Sequence, residues 1–168
     1  VKGLAPDGGL FMPDSIEKLP QDFFDRIESM TFQEIGFAVV KHLVGNDIPE
    51  DDLRKIIDEV LNFDAPLVTV ENNVHSLELY HGPTLAFKDF GARFMSRLMA
   101  YFNKGQSKEL VVLVATSGDT GSAVANGFFN VPGIRVILLY PTGKVSKIQE
   151  HQLTTLGGNV TALEVEGV

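Results

Sequence analysis

The sequence predicts an α/β protein, with a helical N-terminal lobe followed by a partial doubly wound parallel sheet of βαβαβ order that is incomplete at its C-terminus. Three observations carry this. The last third alternates strand-length apolar runs (Leu110 to Ala115, Ile134 to Tyr140, Val160 to Val165) with helical patterns. The links between them are short and built from turn residues, and strand–helix–strand units of that kind make parallel sheets with right-handed crossovers. The early part, by contrast, shows apolar residues at helical spacing only. A parallel strand needs neighbours and covering helices, and the chain ends just after the third strand, so it reads as a fragment of a longer protein. The expected division is a helical lobe over 1–65 and an α/β subdomain over 66–168.

Composition narrows the function classes. The chain has 168 residues, 44% hydrophobic and 21% charged, enough apolar material for one ordinary domain or two small lobes. A net charge of −8 argues against nucleic acid or an anionic membrane as partner, since both need a basic face. A small-molecule substrate held in a local site remains compatible with that charge. The absence of cysteine rules out disulfides, thiolate chemistry and Cys-ligated zinc, and it fits a cytoplasmic setting. No apolar run reaches membrane-spanning length, and no basic-then-apolar leader opens the sequence. The sequence sets no oligomeric state.

Taken in order, the first twenty residues are an irregular lead-in marked by Asp7-Gly8-Gly9 and three prolines. Thr31 and Glu34 form a capping-box pattern. Phe32, Ile35, Gly36, Val39, Val40 and Leu43 then repeat at helical spacing, and Gly45 supplies a stop. Pro49 suits a first helical position, followed by an acidic first turn and a buried stripe of Leu53, Ile56, Ile57, Val60 and Leu61. Pro66 to Val70 is a short apolar segment, and Leu77 to Tyr80 alternates like a strand. A helix opens near Lys88, with Gly91, Phe94, Met95, Leu98, Met99 and Phe102 expected on a core-facing side. The helix after Thr116 to Gly121 is expected to run through Phe129. The one after Pro141 to Gly143 is expected to end at Gly157-Gly158.

Two segments could carry chemistry. In the first, His81 to Gly91, one lysine, Lys88, sits at a helix start among apolar residues, where an amine suits a Schiff-base role. A solvated lysine beside a capping aspartate is the plainer alternative. In the second, Thr116 to Ser122, small residues between a strand and a helix let backbone N–H groups face an anion. An ordinary capped turn would read the same way. His42, His75 and His151 are isolated and lack metal-ligand spacing, so no metal is expected.

In this order and separation the two segments resemble the threonine synthases, within the pyridoxal-phosphate (PLP) enzymes of the tryptophan-synthase β-subunit fold. His81 to Phe94 (HGPTLAFKDFGARF) is similar to that family's cofactor-lysine motif, and Thr116 to Val124 (TSGDTGSAV) to the loop after its first parallel strand. Ala5 to Pro13 and Tyr140 to Gln149 extend the likeness over almost the whole chain. The aspartate in the second loop and the helical N-terminal lobe point to the longer members found in enteric bacteria and yeast.

The resemblance implies that Lys88 is catalytic and binds PLP covalently, with Asp119 near the cofactor ring where many relatives carry asparagine. It implies that Thr116, Ser117, Gly118 and Thr120 hold the substrate carboxylate, that Thr84 and His81 wall the pocket, and that Lys144 and Ser146 meet a substrate phosphate. The implied reaction is a lyase step of threonine biosynthesis. O-phospho-L-homoserine and water give L-threonine and phosphate, with phosphate leaving Cγ and water adding at Cβ. The family's glycine-rich loop for the PLP phosphate has no counterpart here, so this stretch alone is expected to be inactive. Two alternatives stay open: another enzyme of the same fold, such as a serine or threonine dehydratase or cysteine synthase, or a non-catalytic homologue.

Overall fold

The structure, a computed structural model, describes residues 4–167. It divides into two compact units, Val1–Leu53 and Arg54–Val168. The break falls inside a helix, earlier than the 65/66 division expected from the change in sequence character.

In the first unit a short helix, α1 (Gln21–Arg26), and a 3₁₀ turn lead to α2 (Phe32–Val44). The capping box at its start forms as expected. Thr31 Oγ1 accepts from the Glu34 N–H at 3.2 Å, and Glu34 Oε2 accepts from the Thr31 N–H at 2.7 Å. Gly45 ends the helix at φ +59°, a backbone state that favours glycine. The apolar stripe of α2 is only half covered, with Leu43 exposed. Helix α3 (Glu50–Val60) runs across the division, and its stripe of Leu53, Ile56, Ile57 and Val60 is buried. Pro49 stands one residue before the helix, where its carbonyl accepts from the Asp52 and Leu53 N–H groups. Its missing N–H costs nothing there, just as at the first helical position.

The second unit opens with an antiparallel hairpin, β1 (Leu67–Glu71) and β2 (Val74–Leu77). The strand expected at Leu77 to Tyr80 therefore lies earlier. The turn is made by Asn72 and Asn73, the latter at φ +61°, and asparagine tolerates that state better than most residues. Pairing reaches the alternating stretch through Leu77, opposite Leu67, and the Glu78 N–H bond to the Pro66 carbonyl at 2.9 Å.

The remainder is the expected βαβαβ unit. Strands β3 (Leu110–Ala115), β4 (Ile134–Pro141) and β5 (Val160–Val165) form a parallel sheet in the order β3-β4-β5. Helices α5 (Asp119–Phe128) and α6 (Lys147–Thr154) make the crossovers, α6 ending before Gly157-Gly158. Central β4 turns Ile134, Val136, Leu138 and Tyr140 into a core shared with Phe128, Ala125 and Leu153.

Helix α4 (Lys88–Asn103) packs on α5 by a face that apolar periodicity does not show. Its fully buried residues are Asp89, Ala92 and Ser96, whereas Met95 and Phe102 are 43% and 55% exposed. Of the expected stripe, Met99 does pack against the core. The reason is close helix approach. A side chain at Gly127 would stand 3.0 Å from the Ala92 carbonyl carbon, a tight approach that the bare glycine avoids. Ser96 Oγ donates to the Gly127 carbonyl at 2.7 Å and accepts from Arg97 Nη1 at 2.9 Å. Small and polar residues at the crossing let the backbones meet, and they leave part of the larger apolar side for a cleft.

Candidate functional site

The turn before α4 is held by a side chain of the helix it feeds. Asp89 is 1% exposed, and a carboxylate so buried needs partners. Both of its oxygens accept from Thr84, Oδ2 from the backbone N–H at 2.9 Å and Oδ1 from the hydroxyl at 2.6 Å. Gly82 passes so close that an added Cβ would lie 2.5 Å from Asp89 Oδ2 and 2.9 Å from the Phe63 ring. Between them Leu85 takes φ +59°, uncommon for a residue with a side chain. Lys88 is then the first residue of α4.

The turn before α5 holds itself. Thr116 Oγ1 accepts from the Gly118 N–H at 3.2 Å and the Gly121 N–H at 3.0 Å, two donors left over at the helix start. Gly121 lies so near Thr116 that any Cβ there would collide with its side chain. Asp119 opens the helix, and the nearby N–H groups of Thr120 and of its own residue favour its charged form.

These turns bring together residues far apart in sequence. Lys88 Nζ donates to Asp119 Oδ2 at 2.8 Å and lies 4.6 Å from the centre of the Phe87 ring. The hydrogen bond from the Lys88 ammonium holds the Asp119 carboxyl below the ordinary carboxylate range. Partial burial opposes this, while the Lys88 charge and the two N–H groups reinforce it. The lysine and aspartate side chains are 31% and 52% exposed, so the pair is open to exchange with solvent or a ligand.

Lys88 lines an apolar cleft of about 570 Å³ walled by Leu79, Phe87, Phe90, Met95 and Val124. Asp119 lines a second, more polar cleft of about 710 Å³, with Tyr80, Thr84, Gln149 and Gln152. At its edge His81 Nε2 lies 2.7 Å from Glu78 Oε2 and stacks on Tyr80 at 4.8 Å. The bonds from His81 and then Tyr80 lower the Glu78 carboxyl, and the same carboxylate raises the Tyr80 hydroxyl. A primary amine among aromatic and aliphatic walls fits a flat, aldehyde-bearing ring such as PLP. Among the described residues no second lysine or arginine lines the Lys88 cleft, so those present fit the ring side of such a group and not its phosphate.

Residues 1–61 match the family model for the threonine synthase N terminus. Over 166 residues the chain is 39% identical to threonine synthase from Escherichia coli K12, covering 99% of this chain and 38% of that protein. Over nearly its whole length the chain is similar to threonine synthases. Threonine synthase from Saccharomyces cerevisiae is 38% identical over 99% of the chain and 36% of its own length. Among solved structures, PLP-bound threonine synthase from Brucella melitensis matches with a TM-score of 0.92 at 35% identity, over 98% of this chain and 37% of that one. The yeast enzyme's crystal structure matches at 0.90 and 39%, over 98% and 36%. The chain thus spans less than two-fifths of the length of these threonine synthases.

Within that likeness the expected site residues divide. Lys88, Asp119, Gly118 and Thr120 converge, with Ser117 exposed on the same turn. Thr116 and Thr84 are nearby, but their hydroxyls are engaged in holding the two turns. Lys144 points elsewhere, its Nζ 3.4 Å from the Gly167 carbonyl, and it lines neither cleft. Ser146 caps α6 by accepting from the Gln149 N–H at 3.3 Å. Sequence reasoning missed Asp89 as an anchor, Met95 as a cleft wall, and Gln149, whose amide nitrogen faces Gly118. Only Asp89 left a signal, in the small residues Gly82 and Thr84 shortly before it.

Proposed function

We propose that this chain is the cofactor-lysine part of a PLP-dependent threonine synthase, in which O-phospho-L-homoserine and water become L-threonine and phosphate. The observation that carries the reading is the Lys88–Asp119 contact at the mouth of an apolar cleft, in a chain similar to threonine synthases. PLP, when bound, supplies a ring that accepts electrons from the carbons that lose protons. Lys88 Nζ is the amine that holds it, and once released the same nitrogen carries protons to and from the substrate carbons. The apolar walls on one side of Lys88 limit the water that reaches those transfers.

Asp119 orients the amine and lies beside the ring. Its carboxylate also lies near N–H groups of the α5 N-terminus, where an anion is favoured. A substrate carboxylate bound by Ser117, Gly118 and Thr120 competes with Asp119 for those donors, and Thr116 keeps the turn in shape while they exchange. Thr84 and Lys144 stay in the proposal as pocket wall and phosphate contact, the first supported by its place in the polar cleft. The division of labour we propose follows 1–65 as helical lobe and 66–168 as the part that bears the lysine. The setting is cytoplasmic on this reading, supported by the absence of cysteine. Among the described residues no helix is long and apolar enough to cross a membrane.

The test is threonine formation from O-phospho-L-homoserine by the whole protein, wild type against Lys88→Ala. The variant is expected to lose activity by a factor of about 10³ or more, since a covalent anchor and its proton transfers go together. Equal rates would remove Lys88 from the chemistry. By itself this stretch is expected to bind PLP weakly and to form no threonine.

A further inference from the structure

We propose that Asp89 is the positioning residue for Lys88, acting through Thr84 to aim the amine at the cleft; this rests on the reading that Lys88 is the PLP lysine. An aspartate in a first helical turn ordinarily serves its own helix, taking free N–H groups or facing the dipole in solvent. Asp89 does neither with its oxygens. It is 1% exposed, and both oxygens reach back five residues to Thr84, at 2.9 Å and 2.6 Å. The turn thus closes into a ring from Thr84 through Leu85, Ala86, Phe87 and Lys88 to Asp89. The Leu85 N–H bonds the Gly82 carbonyl and the Asp89 N–H bonds the Ala86 carbonyl. Leu85 is held at φ +59° within that ring, and Gly82 is pressed against the same carboxylate.

The consequence falls on Lys88. A lysine side chain has four rotatable bonds, so its nitrogen is only as well placed as the backbone that launches it. Phe87 and Lys88 lie inside the closed ring, and Lys88 Nζ meets Asp119, 31 residues away, at 2.8 Å. Arg93 follows one helical turn after Asp89, on the same side of α4. The clamp sets where the amine points, while its own carboxylate touches neither cleft.

The test uses the purified chain, millimolar PLP and borohydride reduction, with the modified lysines mapped by peptide mass spectrometry. All variants are compared well below their unfolding transitions. In the wild type the label concentrates at Lys88 relative to a reference lysine such as Lys104. Asp89→Asn and Thr84→Val are each expected to cut that preference about tenfold, because an ångström of misplacement can cost a hundredfold in reactivity. Thr84→Ser, which keeps the hydroxyl, restores it. Asp89→Asn removes a negative charge and Thr84→Val leaves it in place, so a shared loss reports geometry. An unchanged preference in either folded variant overturns the proposal while leaving the PLP reading intact. No preference for Lys88 in the wild type overturns both. If Asp89→Asn fails to fold, Thr84→Val, close in shape to the native residue, decides alone.

Discussion

The two turns that deliver Lys88 and Asp119 are built on opposite principles. The turn before α4 is tied from outside, by a buried carboxylate of the helix it feeds, with a glycine packed too closely to accept a side chain. The turn before α5 is tied from within, by the hydroxyl of its first residue, and its aspartate lies exposed, facing Lys88 rather than anchoring the turn. The first can hold a covalently loaded side chain in one direction. The second has donors whose present partner can be displaced, which is what a site for an incoming carboxylate requires. One turn is fixed and the other adaptable, and the pair of charges meets where they face each other.

The contrast is easiest to break at Gly82. Alanine there would force its Cβ against Asp89 and Phe63, and overpacking of this kind costs about 3 kcal/mol. Urea denaturation of Gly82→Ala against wild type measures it, and a loss below about 1 kcal/mol, the low end of overpacking, would mean that the first turn is as soft as the second. Gly121→Ala comes next. Its Cβ collides with Thr116, including the Cβ that side-chain rotation cannot move, but alanine favours the helix, so the net loss is about 1–2 kcal/mol. Thr116→Val keeps the shape and removes the hydroxyl, which accepts from the Gly118 and Gly121 N–H groups and donates to the Gly118 carbonyl. A cap lost from a part-exposed turn costs about 1 kcal/mol by thermal unfolding.

How much of this was legible in the sequence follows from what each element uses as its signal. The parallel strands and the α2 capping box use apolar runs and a four-residue polar pattern, and both emerge where expected. The family motif at His81 to Gly91 marks Lys88, but not what holds it. Asp89 reads as an ordinary first-turn acid because burial and a partner five residues upstream leave no trace in periodicity. The α4 face was misread for a related reason. Apolar spacing picks out Phe94, Met95 and Phe102, whereas the crossing with α5 is made by Ala92, Ser96 and Gly127, whose contribution is smallness. The hairpin turn at Asn72 and Asn73 was overlooked because alternation at Leu77 to Tyr80 was the louder pattern.

The smallest effect belongs to the contact where the turns meet. Asp119 is held below the ordinary carboxylate range chiefly by its bond from Lys88. A lowered carboxyl contributes stability that is fully present above its unfolded pKa, about 3.9, and is lost as pH falls through the lower folded value. With the aspartate side chain 52% exposed, solvent screening keeps the contribution under about 1 kcal/mol. Comparing wild type with Asp119→Asn, the stability difference should be constant from neutral pH down to about 5 and shrink in more acid solution, as one carboxylate titrates. It should also shrink with added salt at neutral pH. A difference that instead grew as pH fell would mean that Asp119 is stabilised in its protonated form. It would then be a hydrogen-bond donor in this turn, and the adaptable anion at the α5 N-terminus would have to be reassigned.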